Sequence, residues 1–458
     1  MNERFTESRT LEGLSPDRTL MAEPGSGESC AVASEDCQPG ESMKSVPGAG
    51  VLQAGSFLAG QHHTVIGYGN IKRLAIMVTP ECGGNVRDQA WETVSMMRAI
   101  LRLQDEPMAL TMQTVFVAEA SDVPAIRKLF EAYFDEGMPL TLFVVQPPCD
   151  GAALAVEAWA ISTRNASVGY HGPHLVTIEH DDLRWVYASA GQIHQPGRSA
   201  YEQSQEAFDR LGSTMRSVGV PFRDVVRIWL YQGGITEIEE ETERYRELNR
   251  ARTDFFDGVD FSSCPLVKQQ QGKGIFPAST GIGTREHGLV VTALSVQTER
   301  EDVEILSLEN PQQMSAFDYP KEYSAKSPKF SRAMAIRIGD HLTTWVSGTA
   351  SIVNAETVHP GDVVKQTHQT LDNIENLIAT ENFSRLGWEG VGAKLEELAK
   401  IRVYVRRPED YEKCRAVCEE RLGLVPSVYA IADVCRPDLL VEIEGVTFSQ
   451  VKKSGGGS

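Results

Sequence analysis

The 458-residue sequence has no long apolar run and no block of Lys and Arg, and its formal net charge is −19. Without a basic patch, a nucleic-acid or anionic-membrane partner is not expected. No apolar segment reaches the length of a transmembrane helix, and the N-terminus lacks the basic-then-apolar layout of a signal peptide. We therefore expect a cytoplasmic protein that binds neither nucleic acid nor membrane.

The eight cysteines are scattered and include no CxxC pair, which argues against both a zinc knuckle and a disulfide framework. Cys414 and Cys418 also fall at helical spacing with apolar neighbours, so core packing is favoured over metal binding there. His171 and His174 are separated by Gly-Pro, and no further ligands follow at suitable spacing. The sequence predicts no metal and no other cofactor.

The sequence does contain one pattern three times, in the order helix, strand, helix, closing strand. In the last copy the four segments are VVKQTHQTLDNIENLI, KIRVYVRR, PEDYEKCRAVCEERLG and LLVEIEGVTF. The middle copy has YEQSQEAFDRLGSTMRSVG, VVRIWLYQ, ITEIEEETERYRELNRARTDFF and LVVTALSV, and the first copy has QAWETVSMMRAILRLQ, MQTVFVAE, DVPAIRKLFEAYF and ALAVEAWAIS. Initial strands, clearest in LRWVYASAGQI and HLTTWVSGTASIV, complete each unit as a sheet backed by two helices.

These repeats predict an α+β fold of three similar units. A sheet with helices on one face needs cover on the other, so the three sheets can pack around a pseudo-threefold axis and leave ligand clefts between units. Because the chain then supplies its own trimer, we expect a monomer or a weak dimer. The predicted boundaries are a disordered segment at 1–48, units at 49–164, 165–300 and 331–451, a linker at 301–330, and a flexible tail at 452–458.

The segment CRPDLLVEIEGVTF, residues 435–448, places two carboxylates in a strand that is otherwise apolar. Since side chains alternate along a strand, Glu442 and Glu444 lie on one face, and Val441 and Ile443 lie on the other. The pair either decorates an edge strand exposed to water or forms part of a buried site.

The unit resembles the RidA/YjgF (endoribonuclease L-PSP-like) family, whose members are trimers with sites at subunit interfaces and whose last strand reads like LVEIEGV at 440–446. Imine-deaminating members carry an Arg after Pro-Ala. In this sequence FPAST has Ser279, VPSVY has Val428 and MPLTL has Thr141 or Leu140, which argues against deaminase activity.

Residues 165–450 resemble more closely the chorismatase group of this superfamily. The motifs that carry the resemblance are YRELNRARTDFF, FPASTGIG, SPKFSRAMAI, VSGTASIVNAETVHPGD and CRPDLLVEIEG. The first copy, about 50–164, lies outside the match and completes the pseudo-trimer. The resemblance implies cleavage of chorismate into pyruvate and a cyclic or aromatic acid, without a metal or an organic cofactor.

Cleavage of an enol-pyruvyl ether needs a positioned acid with a raised pKa. Two carboxylates in a poorly solvated cleft disfavour double ionisation and retain one proton. The resemblance implies Glu442 as the first choice of acid, with Glu444 as its companion. It also implies that Cys435 lines the same pocket, near a residue that helps decide which product is released.

A small-molecule carboxylic acid also needs cations, and Arg252 and Arg332 are the candidates because guanidinium groups grip carboxylates bidentately. Tyr245 shares a helix face with Arg252 and can donate its hydroxyl. The competing arginines on the same segment are Arg244, Arg246 and Arg250.

The segments TGIG and GTAS supply the remaining binding candidates. Gly281 and Gly283, next to Thr280, allow a ring to approach the backbone, and Thr349 and Ser351 can hydrogen-bond it. Turn formation is the competing explanation for the glycines.

The alternative function is a RidA-like protein that binds a small acid without turnover. The two glutamates favour catalysis, whereas the extra copy and the missing Arg favour a binder. A ribonuclease fits poorly with the net charge of −19.

Overall fold

The computed structural model describes residues 57–59, 61–268, 274–320 and 326–451. The predicted disordered segment 1–48 and the predicted tail 452–458 lie outside these residues. None of the helices within the described ranges is long and apolar enough to cross a membrane. The cytoplasmic location stays a prediction.

The first unit is a six-stranded mixed sheet with two helices, α1 (Val86–Arg102) and α2 (Val123–Phe134). Helix α1 begins where the Asn85 side chain accepts hydrogen bonds from two backbone N–H groups of the first turn, and its buried residues recur every three or four positions. The sheet order is β1-β2-β3-β6-β4-β5, in which only β4 and β5 are parallel. The strands are β1 (Phe57–Ala59), β2 (His63–Tyr68), β3 (Ile71–Val78), β4 (Met108–Val117), β5 (Leu140–Val144) and β6 (Leu154–Ser162).

The second unit has the same plan, with the sheet order β7-β8-β9-β14-β10-β13 and helices α3 (Ala200–Arg216) and α4 (Arg244–Phe256). Helix α4 begins later than the predicted segment ITEIEEETERYRELNRARTDFF, because β11 and β12 pair as a hairpin before it. The strands are β7 (Ser167–Tyr170), β8 (Leu175–His180), β9 (Leu183–Ile193), β10 (Val225–Gly233), β11 (Ile238–Glu239), β12 (Thr242–Glu243), β13 (Ala278–Thr284) and β14 (Leu289–Thr298).

The third unit repeats the order as β15-β16-β17-β22-β20-β21, with helices α5 (Val363–Ile378), α6 (Thr380–Ser384) and α7 (Tyr411–Leu422). The predicted linker at 301–330 contains β15, so this sheet begins before the predicted boundary at 331. The strands are β15 (Val303–Leu308), β16 (Ala333–Ile338), β17 (His341–Ala350), β18 (Ile352–Val353), β19 (Glu356–Thr357), β20 (Leu398–Val405), β21 (Ser427–Ile431) and β22 (Val441–Gln450).

Helices cover one face of each sheet, and the other faces share a core. Val441 and Ile443 pack in the core between the third sheet and its helices, together with the buried Cys414 and Cys418 of α7. A separate core combines residues of all three sheets. In it, the Trp345 ring centroid lies 5.5 Å from that of Trp159 and 6.0 Å from that of Trp229. The predicted α+β composition and the repeated helix–strand order are therefore confirmed.

Candidate active site

A cavity of about 380 Å³ lies between the second and third units. Helix α4 and strand β13 of the second unit form one wall, and β17 and β22 of the third unit form the opposite wall. Segments around Tyr319 and Phe330, the hairpin of β18 and β19, and the turn at 435–438 complete the lining. A cleft at this boundary is where the stacked-sheet plan predicts a ligand site.

Glu442 lies on β22 with its side chain lining the cavity, and it is only 4% exposed. Gly348 of β17 makes room for it, because a Cβ atom at that position would lie 2.0 Å from Oε1 of Glu442. Among the described residues, none forms an ion pair with this carboxyl group. The carboxyl is therefore enclosed by protein, faces a ligand-sized space, and lacks a compensating charge in direct contact.

Glu444 shares the face of Glu442 but does not line the cavity. Its carboxylate accepts hydrogen bonds from Nη2 of Arg227 at 2.6 Å and from Nε1 of Trp229 at 3.2 Å. It also accepts a hydrogen bond from the Thr280 hydroxyl, and its Oε1 atom lies 3.1 Å from Nη1 of Arg402. Glu444 therefore holds β10, β13, β20 and β22 together, and its surroundings favour a structural role over the catalytic one predicted from sequence.

The two carboxyl groups of β22 have opposite pKa shifts. Burial, reinforced by the negative charge of Glu444, raises the pKa of Glu442 to about 8. Burial also pushes the pKa of Glu444 upward, but the charges of Arg402 and Arg227 outweigh it and lower that pKa below its ordinary value. At neutral pH the pair therefore holds one proton, and the proton resides on Glu442.

Arg252 of α4 and Arg332, just before β16, both line the cavity, as predicted. They are 1% and 4% exposed, and neither forms an ion pair within the part of the chain that the structure describes. Arg252 donates to Oδ1 of Asn249 and to Oγ of Ser279 at 3.3 Å. Arg332 donates to the Tyr319 hydroxyl at 2.7 Å and to the Met314 carbonyl at 2.9 Å.

Both guanidinium groups keep unused hydrogen-bonding capacity. The buried Nε atoms of Arg252 and Arg332 have no hydrogen-bond partner among the described residues. The Phe330 ring contacts both groups, with its centroid 5.6 Å from Cζ of Arg252 and 5.4 Å from Cζ of Arg332. Two buried cations without carboxylate partners are costly unless a ligand supplies the negative charge. The cavity is therefore suited to an anionic ligand.

Tyr245 and Cys435 line the cavity, as predicted. Burial raises the pKa of the Tyr245 hydroxyl well above its ordinary value. Burial and the nearby Glu442 raise the pKa of the Cys435 thiol to about 12. At neutral pH both groups are uncharged, so Cys435 is not a thiolate nucleophile and contributes shape and a neutral S–H group.

The predicted glycine and hydroxyl residues divide into two groups. Gly281 lines the cavity, and a Cβ atom there would lie 3.1 Å from the Tyr245 ring. Thr280 turns inward to Glu444, and Gly283 hydrogen-bonds through its N–H to the Asp433 carbonyl at 2.8 Å. These two residues do not line the cavity.

Thr349 and Ser351 do not line the cavity either, because their hydroxyls donate to the carbonyls of Ser347 and Val358, both at 2.9 Å. Gly348 and Ala350 line it instead. A β-bulge between Val346 and Thr349 sets this alternation.

The competing arginines are engaged elsewhere or lie at the rim. Arg244 donates to the Gly233 carbonyl at 2.9 Å, and Arg250 pairs with Glu247. Arg246 lines the cavity but is paired with Glu243 at 3.2 Å. Arg252 is therefore the candidate clamp on α4.

The sequence interpretation missed several lining residues, among them Asn249, Ser279, Tyr319, Phe330 and Gly348. Asn249 follows Tyr245 by one helical turn, a spacing that places both on one face. Tyr319 and Phe330 lie in a segment without periodicity, which gives no comparable signal.

The residue equivalent to Glu442 is different in the other two sheets. Glu442 is the cross-strand partner of Tyr404 on β20; the corresponding pairs are Val290 with Tyr231 in the second sheet and Ala155 with Phe116 in the first. At this position only the third sheet has a carboxyl group. Elsewhere in the described ranges, no group of three or more His, Cys, Asp or Glu side chains is arranged to hold a metal ion, and the absence of a metal stays a prediction.

Comparisons with known proteins agree with this picture. Residues 157–295 match the family described as "Chorismatase FkbO/Hyg5-like, N-terminal". A 3-hydroxybenzoate synthase from Streptomyces hygroscopicus is 34% identical over 319 residues, which are 68% of this chain and 86% of the relative. A chorismatase from Streptomyces rapamycinicus is 36% identical over 281 residues, or 58% of this chain and 77% of the relative.

Two further matches bear on the fold and the repeated unit. The crystal structure of a chorismatase has a TM-score of 0.59 and 24% identity, and the match covers 81% of this chain and 98% of that one. A RutC family protein from Pyrococcus abyssi is 26% identical over 134 residues, which are 28% of this chain and 95% of the relative. The shorter protein thus corresponds in length to one unit.

Proposed function

The chain belongs to the chorismatase family, and from this premise we propose that it is an enzyme that cleaves the enol-pyruvyl ether of chorismate or a related acid. The products are pyruvate and a cyclohexadiene or hydroxybenzoate acid. The observation that carries the proposal is the buried, protonated Glu442, which faces a cavity containing two arginines without carboxylate partners.

Glu442 is the proposed general acid. It transfers its proton to the terminal methylene carbon of the enol-pyruvyl group, and the double-bond electrons form the new C–H bond. Water adds to the resulting oxocarbenium carbon and gives up one proton, which forms a hemiketal. The hemiketal collapses as its O–H proton passes to the ether oxygen and the ether C–O bond breaks, which releases pyruvate and the ring alcohol. If a ring hydroxyl traps the carbon first, water must still open the ketal before pyruvate leaves. A carboxyl group with a pKa of about 8 is protonated at neutral pH and is a stronger proton donor than water, as this step requires.

Arg252 and Arg332 are the proposed carboxylate clamps, with Tyr245 and Cys435 as neutral wall residues. The unused Nε atoms of both arginines support this assignment. Because the guanidinium groups are buried and form no ion pair among the described residues, a bound carboxylate supplies a negative charge in direct contact, in a poorly solvated site where charge-assisted hydrogen bonds are strong. Gly281 provides the close backbone approach that the ring of the substrate needs.

We further infer that the three units form a pseudo-trimer with one active boundary, and that the chain acts as a monomer or a weak dimer. The identical strand order of the three sheets and their shared core support the first inference. In light scattering, a stable homotrimer would contradict the second.

The direct test is to incubate the purified protein with chorismate and to assay pyruvate. Release that is saturable in chorismate and depends on Glu442 supports the proposal. If chorismate binds but no pyruvate forms, the alternative of a RidA-like binding protein replaces it, and titration calorimetry with Arg252→Ala as the control tests that alternative.

A further inference from the structure

A buried charge cluster adjoins the catalytic strand and joins all three sheets. Each member is at most 3% exposed, and together they form one connected set of ion pairs and hydrogen bonds. The charged members come from β6, β10, β20 and β22: Glu157, Arg227, Lys400, Arg402 and Glu444.

Glu157 is the contribution of the first unit to this cluster. Nζ of Lys400 donates to its Oε1 atom at 2.7 Å, Nε of Arg402 donates to Oε2, and Nε1 of Trp159 donates to Oε1 at 3.1 Å. Burial pushes the pKa of Glu157 upward, but the charges of Arg402 and Lys400 lower it to about 2. Glu157 is therefore ionised at neutral pH.

Glu157 and Glu444 occupy equivalent positions in their sheets. Strands β4 and β20 each contain a β-bulge near their start. Shortly after the bulge, Thr114 of β4 pairs with Glu157 in the first sheet, and Arg402 of β20 pairs with Glu444 in the third sheet. Arg402 contacts both carboxylates, since its Nη1 atom lies 3.1 Å from Oε1 of Glu444. The first unit thus shares a cation with the strand that carries the proposed acid.

The cluster holds three cations and two carboxylates, which leaves one positive charge in excess. Arg227 hydrogen-bonds Glu444, and its charge acts on Glu442 as well. With a larger excess, a smaller fraction of Glu442 would carry its proton at neutral pH. With no excess, the carboxylate left after proton transfer would be less well compensated in a site of low dielectric.

We propose that Glu157 is a positioning residue for proton delivery by Glu442, because it neutralises one cation of the cluster and holds the excess charge at one. Among the described residues, none of the first unit lines the cavity, and this unit acts on the site through the cluster. The inference rests on the proposed role of Glu442 as the acid.

The groups that surround Glu442 allow its titration to be followed. Those that face it from its own strand and from the elements packed against it are Glu444, Arg227, Arg332, Tyr404, Tyr245 and Cys435. The same cavity is also lined by the charged side chains of Arg252, Glu356, Arg436 and Asp438 and by the ion pair of Arg246 with Glu243. The arginines stay charged, the pKa values of both tyrosines are raised above their ordinary value, and that of the thiol is about 12. Because burial lowers the pKa of Lys400, a transition between pH 6 and pH 10 is assigned to Glu442 only where Glu442→Gln abolishes it.

The test compares the pH dependence of kcat for pyruvate release in three variants with that of the parent protein. Glu157→Gln raises the excess positive charge, so the high-pH limb of the profile, where kcat falls as Glu442 loses its proton, moves to lower pH by roughly half to one pH unit. Lys400→Met removes the excess charge and moves this high-pH limb to higher pH by a similar amount. The double variant restores the charge balance and returns the limb toward its position in the parent.

Only an effect of charge should move the high-pH limb in opposite directions in the two single variants and return it toward the position of the parent in the double variant. A loss of packing would lower kcat without this pattern. If Glu157→Gln does not fold, Lys400→Met and the double variant still decide the matter. Limbs that stay in place, or that move in the same direction in both single variants, overturn the inference.

A second readout needs no turnover. In each background, the unfolding free energy is compared with that of the Glu442→Gln derivative as a function of pH, and the pH at which the difference levels off is the folded-state pKa of Glu442. If the parent releases no pyruvate, the proposed function fails, and this readout still tests the charge relation. If the parent is active but neither readout moves, only the present inference fails.

Discussion

Replacement of Glu442 by Gln tests the acid and its buried environment in one variant. Gln keeps the volume of the side chain but cannot deliver a proton, and loss of general-acid catalysis typically lowers kcat by about 10²- to 10⁴-fold. The parent should lose activity as pH rises through about 8, because Glu442 then gives up its proton. In the variant, the residual rate should lack this transition. Both effects are measured as pyruvate released from saturating chorismate at successive pH values.

The same substitution should stabilise the protein at neutral pH. Below pH 4.5 the carboxyl is protonated in both the folded and the unfolded state, and the group has no pH-dependent effect on stability. Between that value and about 8, the unfolded chain ionises while the folded chain retains its proton, so folding costs free energy that rises with pH. At pH 7 this cost is about 3 kcal/mol. Gln avoids it.

Urea unfolding of the parent and the Glu442→Gln variant at pH 4 and pH 7 measures this difference. The variant should be nearly as stable as the parent at pH 4 and more stable at pH 7. Equal pyruvate release by the two proteins would refute the catalytic assignment. A stability difference that does not change with pH would refute the argument that burial holds the proton on Glu442.

Three further predictions follow from the same geometry. Glu444→Gln should destabilise the fold by about 3–5 kcal/mol in urea unfolding, because it leaves buried cations without their partner; a stability equal to the parent would contradict the role of the cluster. Gly348→Ala should lower kcat at least tenfold with the circular dichroism spectrum preserved, since its Cβ would take space that the Glu442 carboxyl occupies; parent-like kcat would show that the carboxyl can move freely. Arg252→Lys and Arg332→Lys should each raise KM about 10- to 100-fold with a smaller change in kcat, because Lys keeps the charge but loses the planar fork; unchanged KM in both would exclude the clamp.

The strands and helices were predictable because they are local. Helix α5 coincides with the predicted segment VVKQTHQTLDNIENLI, and its buried face includes Thr367, Leu371, Ile374 and Ile378, which recur at helical spacing. The shared face of Glu442 and Glu444 was predictable for the same reason, since alternation along a strand needs no tertiary information. These parts of the fold depend on residues close together in the sequence.

The different roles of the two glutamates were not predictable from the strand itself. The partners of Glu444 are distant in sequence, with Arg227 separated from it by 217 residues, and the contact of Glu157 with Lys400 spans 243 residues. The prediction that Thr349 faces the ligand was wrong for a different reason, because the bulge in β17 turns Gly348 and Ala350 toward the cavity in place of Thr349 and Ser351. Sequence periodicity cannot locate a one-residue bulge, and every side chain beyond it changes face.

The separation of the two pKa values has a consequence for the catalytic cycle. Glu444 stays ionised because Arg402 and Arg227 hold it, so it has no proton to return to Glu442 after turnover. Cys435, with a pKa of about 12, does not lose its proton readily at neutral pH. The cavity is the side from which Glu442 is accessible, so the proton must come from water that enters after the product leaves, or from the trapping water itself. When water attacks the oxocarbenium centre, it sheds a proton within reach of the newly formed carboxylate, which can restore the acid within the same turnover.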